Sequence, residues 1–307
     1  MVLRESLEKT ESFVFLRGNP VARGEAVEPR FLSELNPVSF EDGKRRLGLA
    51  EAIVDPNNPL TRRVIVNWVW QHHFGRGLVR TPDDFGTRGD PPTHPDLLDF
   101  LCQQLLEDGW SLKKLHRRIM LTAVYQQASI ENPAAREIDP DNRLLWRMPI
   151  RKLEMEAMRD SMLAASGELS RKMGGRPFEE KGNAIPRRSV YALVNRDVIS
   201  KLASTFDAAD PSACTVKRPE TMVPQQTLYA LNSEYIQDRA KALMQLPEIR
   251  DAKDDNDRVR RIYQRVYSRA PSDDELQLGI EFVGAGDDGW VQFAHTLLAS
   301  NEFHFID

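Results

Sequence analysis

The sequence predicts a mainly α protein, an irregular multi-helix domain with a few short strands and long ordered loops. Three observations carry that reading. Apolar residues recur at spacings of three and four along successive segments, the period of a helix with one buried face. Capping residues stand directly ahead of those segments and glycines directly after them. Alternation typical of strands is confined to Val190–Val194, and one short apolar run, Phe13–Leu16, reads as a further strand.

Residues 1–57 form an irregular opening segment. Gly18, Pro20, Gly24 and Pro29 interrupt any period there, and only Glu41–Ala52 reads as a short helix. Asn58 caps the first strong helix, and Pro59 suits its first position because proline has no N–H to leave unpaired. Leu60, Val64, Ile65, Trp68 and Val69 cover much of its circumference, which describes a mostly buried helix; Gly75 supplies a left-handed stop. After a polar loop from Arg76 to Pro92, Thr93 is expected to cap the next helix with Asp96 as its box partner. Leu97, Leu98, Leu101 and Leu105 give its stripe, and Gly109 ends it. Ser111 caps a third helix that carries Leu112, Leu115, Ile119 and Tyr125. Short connections make these three helices neighbours.

A proline-bearing linker, 129–149, precedes a fourth helix at about 151–165 that ends at Gly167. Gly, Lys, Arg and Pro from Ser170 to Pro186 mark a boundary or loop, and Asp207–Pro219 is loop again. A fifth helix runs from Val223–Pro224 to about Leu243 with a bend at Asn232-Ser233. Val259, Ile262, Tyr263 and Val266 mark another helix. Ser272 and Glu275 form a capping box ahead of the next, which Gly284 and Gly286 end; Gly289–Ala299 is the last. The expected division is the opening segment 1–57, a main helical domain 58–250, and a small C-terminal helical subdomain 251–307 packed on it.

Composition excludes several function classes. The chain has 307 residues, 41% hydrophobic and 29% charged, the balance of a globular protein rather than a disordered one. A formal net charge of -4 gives no global field to recruit nucleic acid. No run of about 18 apolar residues is present, so no membrane insertion is expected. The opening MVLRESLEKTE lacks the apolar core of a signal peptide. Cys102, inside an apolar helix pattern, reads as an inert buried thiol, and whether it pairs with Cys214 is left open. There is no Cys-x-x-Cys-His for haem attachment, no Gly-x-Ser-x-Gly elbow and no phosphate-cradling glycine loop, so no cofactor is expected.

Candidate chemistry concentrates in the loop after the first helix. His73, Arg76, Asp83, Asp84, Arg88 and His94 are the candidate ligand-binding residues. Glycines let such a loop fold tightly, and Pro82, Pro91 and Pro92 stiffen it, lowering the entropy cost of ordering polar groups. Arg and Asp set against one another suit a polar substrate such as a sugar or a sulfate; the plainer reading is that they pin the loop to its helices. A metal site from His72, His73, His94, Asp83 and Asp84 is not adopted, because adjacent helical residues point about 100° apart and no His-x-x-x-His pair is present. Glu156 and Asp160 share a helix face, where mutual repulsion raises carboxyl pKa values; a solvated face relieved by Lys152 and Arg159 is the reading adopted. Of Trp68, Trp70 and Trp110, at least two are expected in the core.

Many spaced motifs, in order, resemble one family: Leu16-Arg17-Gly18-Asn19, Asn58-Pro59-Leu60-Thr61-Arg62-Arg63-Val64, Trp70-Gln71-His72-His73-Phe74-Gly75-Arg76-Gly77, Thr81-Pro82-Asp83-Asp84-Phe85-Gly86 and Gly109-Trp110-Ser111. Arg151-Lys152-Leu153-Glu154, Phe206-Asp207, Pro224-Gln225-Gln226 and Ser300-Asn301-Glu302-Phe303 continue the series. The family is the C-terminal domain of large planctomycete cytochrome-associated proteins, domain of unknown function 1553. The resemblance implies an exported, periplasmic or extracellular protein whose upstream domains include a c-type cytochrome, and it carries over no catalytic residue. With no catalytic constellation recognisable, the function expected is an accessory or interaction module of such a protein. Two alternatives stand beside it: an enzyme acting on a polar substrate such as a glycan, with its site in the 73–94 loop, which would suit polysaccharide metabolism, and a docking partner for the c-type cytochrome domain.

Overall fold

The computed structural model describes residues 11–35, 39–41, 43–179, 185–197, 200–284 and 288–306. The expectations for Met1–Thr10 and for Gly286 lie outside the described residues. The contact pattern divides the chain into one unit ending at Met148 and a second beginning at Pro149.

In the first unit, β1 (Ser12–Phe15) pairs antiparallel with β2 (Arg23–Val27), Ser12 opposite Val27. Five helices follow: α1 (Arg45–Val54), α2 (Pro59–Phe74), α3 (Pro95–Glu107), α4 (Leu112–Met120) and α5 (Pro133–Ile138). Local chemistry sets their ends as expected in three places. The Asn58 side chain accepts from Leu60 N, Gly75 closes α2 at φ 76°, and Ser111 accepts from Lys114 N. Thr93 does not cap α3. Pro95 opens that helix without an N–H, the cap position falls on His94, and the Thr93 N–H and hydroxyl both turn back to the Leu78 carbonyl at 2.8 and 3.3 Å. α4 ends at Met120, short of Tyr125. The core is built by Val66, Trp70 and Phe74 of α2, Leu98, Leu101 and Leu105 of α3, and Leu115 and Ile119 of α4, joined by Leu78 and Val79 from the loop.

The second unit begins with β3 (Arg151–Lys152), where the helix expected from 151 does not form. Its backbone pairs instead with β4 (Phe305–Ile306), and α6 (Met155–Ala165) starts only after Glu154. No strand forms at Val190–Val194; Ser189–Tyr191 is a 3-10 turn, and Phe178 and Ala192 share an isolated bridge. α7 (Lys201–Thr205) precedes α8 (Pro224–Asn232) and α9 (Glu234–Met244), which are separate helices because Ser233 is extended at ψ 119°. Then come α10 (Pro247–Arg250), α11 (Asp255–Val266), α12 (Asp273–Val283), α13 (Gly289–Ala299) and α14 (Asn301–His304). The Ser272–Glu275 capping box is present. Met158, Met162, Ala230, Leu243, Ile262, Phe293 and Leu298 belong to one buried apolar cluster, so α6, α8, α9, α11 and α13 share a core. Fourteen α-helices against two two-stranded sheets, among the described residues, make the fold mainly α. No helix among them is long and apolar enough to cross a membrane.

Candidate functional site

The polar loop is built from the inside of the first unit outward. Asn67, fully buried on α2, grips the loop backbone with both ends of its amide: Nδ2 donates to the Val79 carbonyl at 3.0 Å, and Oδ1 accepts from Val79 N at 2.8 Å. This places Leu78 and Val79 in the core and turns the chain outward on both sides. A side chain at Gly77 would strike this amide, since a Cβ there would lie 2.6 Å from Asn67 Nδ2. The Trp68 indole, exposed on the outer side of α2, donates to the Pro82 carbonyl at 3.2 Å.

Beyond Val79 the loop closes on itself. The Thr81 hydroxyl donates to the Asp84 carbonyl at 2.9 Å and accepts from Asp90 N at 2.9 Å. Asp84 Oδ1 accepts from Gly86 N at 2.8 Å, and Gly89 N reaches the Gly86 carbonyl at 3.1 Å. Gly89 lies so close to the chain that a Cβ would stand 2.1 Å from the Asp84 carbonyl oxygen. Arg80 faces Asp141 at 3.8 Å.

The six residues singled out in the sequence separate into two sets. His73 Nε2 meets His116 Nδ1 at 2.8 Å, with the Tyr125 ring edge-on at 5.2 Å; Asp84 is spent on Gly86; His94 Nδ1 pairs with Thr93 Oγ1 at 3.0 Å. Arg76, Asp83 and Arg88 are exposed. The structure thus ties three of the six to three different partners and presents the other three on the surface. His116 was not singled out, although it sits beside Leu115 on the border of the α4 apolar stripe, the one sequence signal that could have found it. Among the described residues, no group of three or more His, Cys, Asp or Glu side chains is placed to share a metal ion.

Of the tryptophans, Trp70 is buried and stacks on Phe74 at 4.3 Å, and Trp110 packs against the same core. Both cysteines are free. Burial pushes the Cys102 thiol up to about 11 against the pull of Arg63 and Arg62, so it stays protonated and unreactive at neutral pH.

In the second unit the Glu156 and Asp160 face is not a solvated pair. Burial pushes the Glu156 carboxyl up, but a two-pronged hydrogen bond from Arg218, at 2.7 and 3.1 Å, outweighs it and leaves the group below the ordinary glutamate value. Asp160 accepts from the backbone and hydroxyl of Ser189, both at 2.8 Å. Buried Arg159 donates to the Ile185 and Arg187 carbonyls, so α6 holds the 185–189 segment by charged hydrogen bonds. Lys152 turns away from these carboxylates. Its Nζ donates to the Thr221 carbonyl at 2.9 Å and to Gln226 Oε1, while Asp207 accepts from the Thr221 N–H and hydroxyl at 2.8 and 2.7 Å. Burial draws the Lys152 ammonium below its ordinary value, opposed by the charges of Asp207 and Glu220.

A family described as PSD1, protein of unknown function (DUF1553), matches residues 45–283. No curated protein and no solved structure matches the chain.

Proposed function

We propose that this chain, which belongs to the PSD1 (DUF1553) family, is an accessory interaction module that docks a partner through the charged loop from Arg76 to Asp90. The observation that carries this reading is the division of labour in the loop. Its inward polar atoms are spent on the Asn67 amide of α2 and on one another, whereas Arg76, Asp83, Arg88 and Asp90 are exposed on a chain whose shape is already fixed. A face ordered in advance loses little conformational entropy on binding. Charges of both signs on such a face favour a specific orientation over general adhesion and make association sensitive to salt.

The partner proposed is the c-type cytochrome domain of an exported multidomain protein, the setting implied by the family resemblance of the Asn58–Gly77 and Thr81–Gly86 motifs. Trp68, exposed and bonded to the Pro82 carbonyl, adds an apolar ring beside the loop. Titration of a c-type cytochrome with the full chain, followed by NMR shifts at low and high salt, tests the reading. Saturable binding at low salt is expected, weakened by salt and lost by about tenfold in an Arg76→Glu, Arg88→Glu variant. Absence of saturable binding at low salt, or equal binding by the variant, contradicts it.

A further inference from the structure

The second unit carries a cavity of about 570 Å³, within the range of about 300–1,000 Å³ that small-molecule sites occupy. Its wall is asymmetric in charge. Among the described residues that line it, Lys152 is a cation and no carboxylate is present. The acidic neighbours, Asp207 and Glu220, lie outside the lining, and the two oxygens of Asp207 are taken by the Thr221 N–H and hydroxyl. An ammonium has three N–H donors. Two of those on Lys152 go to the Thr221 carbonyl and Gln226 Oε1, which hold the group in place; among the described residues the third N–H has no further hydrogen bond. Phe206 lies under the same ammonium, 5.8 Å from ring centre to Nζ.

The rest of the wall is largely apolar. Met222 and Leu228 line it while remaining 74% and 58% exposed, so a bound molecule would cover them. His304 also lines it, and its Nε2 has no hydrogen-bond partner among the described residues. Burial draws this imidazole below its ordinary value; a hydrogen bond to Leu298 opposes the shift and the Lys152 charge adds to it. Lys152 is the one lysine or arginine among the described residues that line the wall.

We propose that this cavity binds a small monocarboxylate with an apolar body, its carboxylate taking the third N–H of Lys152 and its body resting on Phe206, Met222 and Leu228. A charge-assisted hydrogen bond in a partly dry site supplies the orientation, and the apolar wall supplies the area. Two carboxylates on the ligand would leave the second without a cation. The site is independent of the docking loop, and each reading stands or falls without the other.

The test uses the full chain with 1-naphthoate as probe and 1-naphthalenemethanol as its uncharged counterpart, read by ligand-observed NMR. The acid is expected to bind saturably and at least about tenfold more tightly than the alcohol. Lys152→Met, which keeps the apolar stem and removes the donors, should erase that preference. Leu228→Trp, at an exposed position, should block both probes while leaving the melting temperature unchanged. Should Lys152→Met fail to fold, the acid-to-alcohol comparison and Leu228→Trp decide the matter alone. Equal affinity for acid and alcohol, no saturable binding of the acid, or unaltered binding in Leu228→Trp would overturn the proposal.

Discussion

Single side chains in this protein do most of their work by gripping distant backbone or a second charge. Arg269 is one such group. Its guanidinium donates to both oxygens of Glu275 and both oxygens of Glu302, and it lies over the rings of Tyr263 and Tyr267. The Arg269 hydrogen bonds, opposed by burial and helped by the Ser272 N–H, bring the Glu275 carboxyl to about 2. A carboxyl depressed in the folded state stabilises the fold above its unfolded pKa and loses that contribution as the pH falls through its folded one. The window therefore runs from about 4.5 down to about 2. Arg269→Met is expected to lower the urea midpoint most above that window and progressively less towards its acid end. A loss that stays constant across the window would mean that packing on the tyrosines, not charge, is what Arg269 provides. The group is partly open to solvent, so the effect is screened and modest.

At the scale of elements, legibility followed the reach of the interaction. Asn58 at the start of α2, Gly75 at its end, Ser111 before α4 and the Ser272–Glu275 box were all readable, because a cap bonds within three or four residues of itself. Thr93 leaves the cap role its sequence position suggests because its hydroxyl answers the Leu78 carbonyl, a bond across the loop that no local rule anticipates. Arg151 and Lys152 leave the helical pattern for the same reason: their strand partner is Phe305–Ile306 at the far end of the chain. The candidate site divides in the same way. His73 and the charged loop residues were visible as a cluster, whereas His116 stands 43 residues from His73, and Arg218 stands 62 from Glu156. Local capping energies can be checked directly. Ser272→Ala should cost about 1 kcal/mol in chemical denaturation and Ser272→Gly only a few tenths. Losses near zero in both variants would show that the hydroxyl bond to Glu275 N contributes little.

On the scale of the whole molecule, each unit has its own apolar cluster and its own polar feature fastened to it. In the first unit, Leu78 and Val79 enter the core of α2, α3 and α4, and the loop's charged side chains are presented from that anchorage. In the second, the residues that line the Lys152 cavity come from β3, α8, α13, α14, β4 and the Phe206–Val223 stretch, against the cluster shared by α6, α8, α9, α11 and α13. A docking face of the kind proposed for the loop exists only if the buried Asn67 amide keeps the chain in one shape. Amide hydrogen exchange in the native protein, read at Val79, Asp84, Gly89 and Asp90, tests this most directly. Each of these N–H groups has an acceptor within the loop or on Asn67, between 2.8 and 3.1 Å. All four are expected to be protected in the wild type, Val79 most strongly, and to lose protection together in Asn67→Ala. Exchange at the rate of an unstructured chain in the wild type, or protection unchanged in Asn67→Ala, would contradict it.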